Sequence, residues 1–101
     1  MDKITALNYA KQYAEKINKL YSPVAIMIYG SYANGIPTEN SDIDIAVIFD
    51  GFDGDYLETS ANLYQMTCDI CTAIEPIILD LSKDRSGFAN EIMRTGYNVA
   101  W

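Results

Sequence analysis

Histidine is absent from the chain, cysteine occurs only at Cys68 and Cys71, and no lysine or arginine stands between Leu20 and Ser82. Without histidine or a third cysteine, the Cys68-x-x-Cys71 pair lacks the ligands for a zinc site. A redox pair of the thioredoxin kind needs a strand-to-helix junction, whereas these cysteines fall inside a helical pattern. They are expected to be buried packing residues, reduced and inert. The gap in positive charge excludes more. Glu39, Asp42, Asp44, Asp50, Asp53, Asp55, Glu58, Asp69, Glu75 and Asp80 all lie within it, so no local cation can pair with them. Such a field repels a nucleic-acid backbone, and autonomous DNA or RNA binding is not expected. No apolar run approaches the roughly 20 residues that span a bilayer, and Met1-Asp2-Lys3-Ile4-Thr5 lacks a basic region followed by an apolar block. A cytoplasmic protein without membrane association is the expectation. Internal repeats, low-complexity tracts and linkers are also missing.

What is present suits one ordinary core. The 101 residues are 50% hydrophobic and 21% charged, which predicts a single domain over residues 1–101. Ile4, Leu7, Ala10, Ala14, Ile17 and Tyr21 recur at helical steps and predict an amphipathic helix over about 3–20, with Asp2 as its N-cap. Ser22-Pro23 stops it, because a residue before proline is pushed out of the helical region. Val24 to Tyr29 is continuously apolar and reads as a strand covered on both faces. Ser31 to Gly35 has room for a turn or two of helix, with Gly35 as its left-handed terminator, and 36–41 is loop, where Glu39 reads as solvated. Asp42 to Phe49 is the second strand. Asp50 to Asp55 carries acids and glycines, but Ala61 stands where a calcium-binding loop needs glutamate, so it is a connection.

Asp55 to Thr72 predicts a helix with Leu57, Ala61, Tyr64 and Cys68 as its inner face, widened by Met66 and Ile70. Ile74 to Leu79 is the third strand, and Pro76 assigns it to an edge or a distortion. Lys83 and Arg85, in a mixed-charge loop, read as solvated, with phosphate contact as the alternative. Ser86 is the expected N-cap of a last helix through Thr95, with Phe88, Ala89, Ile92 and Met93 inward and Gly96 as its end. Tyr97 to Trp101 adds a short strand. The order predicts an α/β fold, a small mixed β-sheet flanked by helices.

The chemistry concentrates between Val24 and Phe49. Side chains at i and i+2 of a strand share a face, so Asp42 and Asp44 lie side by side, with Ile43 and Ile45 in the opposite layer. Two carboxylates about 7 Å apart at Cβ, by strand rise, repel when ionised and gain most from a shared divalent cation. Capping of an exposed strand end is the bland alternative. The apolar remainder of that face, Ala46 and Ile48, favours metal. Gly30 marks a sharp turn or a close approach of backbone to ligand, and Ser31 supplies a hydroxyl and an N–H at a helix start, a combination that suits phosphate. Each alone reads as an ordinary turn or cap. A bare triphosphate would be repelled by the surrounding acids, so a nucleotide is expected to arrive with magnesium.

Gly30-Ser31, ten intervening residues and Asp42-x-Asp44, each element abutting an apolar strand, resemble the motif of the DNA polymerase β type nucleotidyltransferases, in particular their minimal single-domain members. The resemblance implies a palm-like core, a Gly-Ser turn that holds the triphosphate, and two aspartates that bind two catalytic Mg²⁺ ions with a third acid from a later strand. Glu75 is similar in position to that acid, and Asp80 is the rival. The implied reaction is transfer of a nucleoside monophosphate, AMP from ATP, to a hydroxyl acceptor. The chain has no length for the extra domain with which larger relatives select acceptors, so a partner protein or a second copy is expected to supply that surface. Minimal members commonly work beside a small helical HEPN protein, as toxin and antitoxin pairs. A catalytically idle antitoxin that neutralises its partner by contact is the alternative, and nucleotidylation of a small molecule is a third.

Overall fold

The computed structural model describes residues 1–35, 37 and 41–100. In chain order its elements are α1 (Lys3–Leu20), β1 (Ala25–Tyr29), α2 (Ser31–Asn34), β2 (Ile43–Phe49), α3 (Tyr56–Thr67), β3 (Ile74–Asp80), a 3₁₀ turn (Leu81–Lys83), α4 (Phe88–Thr95) and β4 (Tyr97–Asn98). The strands form one sheet in the order β3-β2-β1-β4. β1 is antiparallel to β2 and β4, whereas β2 and β3 are parallel. A parallel pair needs a long crossover, and α3 supplies it. This is the small mixed sheet with flanking helices that the apolar pattern predicts.

The period of two in the strands sorts the core into two layers. Ile26, Ile28, Ile43, Ile45, Val47 and Ile74 pack against Ala6, Ala10, Tyr13, Ala14 and Ile17 of α1 and Leu63 of α3. On the opposite face Ala25, Met27, Ala46 and Ile48 lie under Ile92 of α4, and Tyr29, Ile77, Leu79 and Leu81 at the margin are only half-buried. The strand β1 is covered on both sides, as its unbroken apolar run requires. Pro76 lies on an edge strand, where its missing N–H costs least. Asp2 caps α1, its Oδ1 accepting from the Thr5 amide at 2.7 Å.

The helices depart from expectation in the faces they bury. In α1, Ile4 is 72% exposed and Tyr13 is buried instead, because small Ala6, Ala10 and Ala14 let the helix lie close to the sheet and the Tyr13 hydroxyl finds the Leu63 carbonyl at 2.7 Å. In α3 the predicted inner stripe faces outward: Leu57 is 85% exposed, Tyr64 and Cys68 are exposed, and Thr59, Leu63 and Thr67 are buried. Met66 and Ile70 are half-buried against the core as expected. The helix stops at Thr67, so the pair of cysteines lies at and beyond its end, Cys68 exposed and Cys71 half-buried, both free thiols. In α4, Ala89 and Ile92 are buried but Phe88 and Met93 are exposed.

Several termini also differ. Gly87, not Ser86, holds the N-cap position of α4; the Ser86 hydroxyl accepts from the Phe88 amide at 3.3 Å, and Asp84 accepts from the Ala89 and Asn90 amides at 2.9 Å each. Gly35 ends α2 in an extended conformation, φ −120°, with its amide on the Ser31 carbonyl. Most of the predicted 36–41 loop, Glu39 included, lies outside the described residues, as does Trp101.

Candidate active site

Two neighbouring strands, β2 and β3, carry the predicted acids to one place beside the end of β1. Tyr29 at the end of β1 stands in register with Asp44, and Asp44 in turn with Glu75. Strand alternation puts Asp42 on the same face as Asp44, one step nearer the loop. The Ile43 amide donates to the Ala73 carbonyl at 2.8 Å, tying together the starts of the two acid-bearing strands. Asp42 and Glu75 are exposed, and Asp44 is half-buried.

The electrostatics follow from this crowding. The Asp42 charge raises the Glu75 carboxyl above the usual range, some loss of hydration and the Asp44 charge adding to it, together with a hydrogen bond to Asp42. Burial, then Asp42, pushes Asp44 up as well. The ion pairs among the described residues are Lys16–Asp69 and Arg94–Glu91, so neither lysine nor arginine there offsets the three acids. Among the described residues no three ligating side chains already close around one point. An array of mutually repelling oxygen donors nevertheless fits magnesium, which prefers hard oxygen ligands and is held by one or two carboxylates plus substrate phosphates rather than by an all-protein cage.

Gly30 is required twice over. Its φ of +74° is one that side chains rarely adopt, and a Cβ there would stand 2.5 Å from Asp44 Oδ2. The turn and Asp44 therefore lie against each other. Ser31 begins α2, where the Gly30 carbonyl accepts from the Ala33 and Asn34 amides at 3.1 and 2.9 Å. Buried Tyr32 anchors this single turn to the core and donates to the Met1 carbonyl at 3.2 Å.

Asp80 is placed differently from Glu75. It points to the other face of β3, at the opposite end, and accepts from the amides of Gly51, Phe52 and Ser82 and the Ser82 hydroxyl at 2.7–2.9 Å. These bonds, that from Gly51 foremost, hold its carboxyl well below the usual range. Its geometry is that of a staple for the connection after β2 and a cap for the 3₁₀ turn. Lys83 and Arg85 are exposed beside that turn, at the end of β3 away from Glu75.

Two aromatic residues belong to this face although the motif does not include them. Burial, then Asp44 and Glu75, pushes the Tyr29 phenol up to about 12, so it stays protonated at neutral pH. The ring of Phe88 meets that of Tyr29 edge-on, centroids 5.9 Å apart. Tyr29 was legible only as the last apolar residue before Gly30, since its register with Asp44 depends on strand pairing. Phe88 carried no signal beyond helical periodicity.

Comparison with known proteins agrees with this geometry. The family model described as polymerase beta, nucleotidyltransferase matches residues 11–100. No curated protein gives a significant match. A solved structure from Sulfolobus solfataricus, named as a candidate nucleotidyltransferase, superposes with a TM-score of 0.71 at 22% identity, over 95% of this chain and 80% of that one. At that identity the likeness establishes the fold. With the family model spanning nearly all of the sequence, the chain belongs to the polymerase beta nucleotidyltransferase family.

Proposed function

We propose that the protein transfers a nucleoside monophosphate, AMP from ATP, to a hydroxyl on a partner protein in a magnesium-dependent reaction in the cytoplasm. The observation that carries this reading is the line of Asp44 and Glu75 in register, flanked by Asp42 and pressed against a glycine that no other residue can replace without a clash. Asp42 and Asp44 would hold two Mg²⁺ ions, and Glu75 would complete one of the sites. When bound, the pair supplies charge stabilisation at the attacking and leaving oxygens. Gly30 and Ser31 would fix the phosphates. The acceptor oxygen bonds to the α-phosphorus while the bond from that phosphorus to the bridging oxygen breaks, and pyrophosphate leaves. Glu75 takes the proton of the attacking hydroxyl.

The partner is proposed to be a small helical protein of the HEPN type. Support comes from α3, whose outward stripe of Leu57, Ala61, Tyr64 and Cys68 lies among Asp53, Asp55, Glu58 and Asp69. Such a surface suits an apolar helix with basic flanks. The same stripe favours a second reading, an idle antitoxin that neutralises by contact. The chain, the partner, Mg²⁺ and ATP labelled at the α-phosphate distinguish them. Label is expected on the partner and lost with Asp42→Asn/Asp44→Asn; neutralisation that survives the double substitution supports contact alone. Label on a small acceptor instead would assign small-molecule nucleotidylation.

A further inference from the structure

The two faces of the sheet are closed to different degrees. The face under α1 and α3 is sealed, with Ile26, Ile28, Ile43, Ile45 and Val47 fully buried. On the acid-bearing face α4 covers β1 and β2, but along β3 the side chains of Ile77 and Leu79 are only half-buried. Because Glu75, Ile77 and Leu79 alternate on one face, an open apolar lane starts at the acid and runs down the edge strand. The four steps from Glu75 to Leu79 make it about 13 Å long by strand rise, comparable with an extended nucleoside monophosphate. Phe88 stands over the lane, 45% exposed, with its ring fixed edge-on by Tyr29. Phe88 and Leu79 also border a cavity of about 320 Å³ at the end of β3, lined besides by Tyr56, by Ile78 and Asp80 of the other face, and by Lys83 and Arg85. Neither cation is in an ion pair with a described residue, whereas Asp80 and Asp84, also at this cavity, are engaged by backbone amides.

We propose that this lane is the seat of the donor's nucleobase, with Phe88 as the stacking surface and Lys83 and Arg85 facing the base's polar edge. The inference rests on the nucleotidyl-transfer reading and names how that site selects a nucleotide over a bare polyphosphate. A flat heterocycle with an apolar face and hydrogen-bond acceptors at its rim matches what the lane offers: a half-buried aliphatic floor, an exposed aromatic ring held in place, and unpaired donors at the far end. Continuity with Glu75 sets the direction, since a nucleotide with its α-phosphate at the acids reaches Phe88 through its sugar.

The test compares Mg²⁺-ATP with Mg²⁺-tripolyphosphate by titration calorimetry, without acceptor. Phe88→Ala is expected to weaken ATP binding about tenfold or more, the scale of base–aromatic stacking, and to leave tripolyphosphate unchanged. Phe88→Trp should restore ATP binding, whereas Phe88→Leu, which retains the bulk and lacks the ring, should not. Equal effects on both ligands, no effect on either, or full binding in Phe88→Leu would overturn the seat. Native protein that binds tripolyphosphate as tightly as ATP would also overturn it while leaving the phosphate site standing. Native protein that binds neither would remove the transferase reading itself.

Discussion

Replacing Gly30 by alanine tests the join between the turn and the acids. Two costs are separable. The backbone at φ +74°, ψ −146° lies near a region that is almost confined to glycine, which costs about 1–3 kcal/mol for a residue with a side chain. The new Cβ also overlaps Asp44 Oδ2 at 2.5 Å, and turning that carboxylate off its rotamer costs about 0.5–1.5 kcal/mol. The sum is roughly 2–4 kcal/mol, a fall in melting temperature of about 10 °C or more for a domain of this size. Thermal melts followed by magnesium titration measure both consequences, lost stability and a displaced ligand. A double-mutant cycle separates them: in an Asp44→Ala background the overlap is gone, so Gly30→Ala should cost less there by about 0.5–1.5 kcal/mol. A variant that melts like the native protein, or one whose cost is the same in both backgrounds, would refute the contact.

Two further predictions concern charge and helix orientation. A carboxyl raised in the folded state costs no stability below its ordinary value, and the cost grows as pH rises from about 4 through the folded value. Asp42→Asn removes the first cause of the Glu75 shift, so it should flatten this decline and make the metal-free variant more stable than the native protein at pH 7. Magnesium should stabilise only the native protein. Melts in EDTA and in Mg²⁺ check this, and an unchanged pH slope would count against it. Urea denaturation should find Leu57→Ala within about 0.5 kcal/mol of native and Leu63→Ala worse by about 2–5 kcal/mol. Similar losses at both positions would mean that α3 is turned the other way.

The strands were legible because their cause is local. Val24 to Tyr29 has no polar side to show to water, and Asp42 and Asp44 share a face by the geometry of one strand. Pro76 announced an edge or a distortion by the donor it lacks, and the strand order makes it an edge. Asp80 stood in the sequence as the rival of Glu75, and only folding shows that its oxygens are occupied by the Gly51, Phe52 and Ser82 groups. Helix α3 was less legible because it carries two apolar stripes on different sides. Leu57, Ala61, Tyr64 and Cys68 read better by hydrophobicity, but α1 settles the choice: Tyr13 bonds the Leu63 carbonyl and Lys16 meets Asp69 at 3.1 Å, which turns the Leu63 side inward.

From the residues alone came the α/β class, the Gly-Ser turn, the shared face of two aspartates and a stretch barren of cations, all consequences of spacing along one chain. Pairing between strands distant in sequence decided the rest: Glu75 beside Asp44, Asp44 against Gly30, and Tyr29 with Phe88 along the same face. Register between strands is set by how the whole sheet buries its two layers. No single segment contains that information.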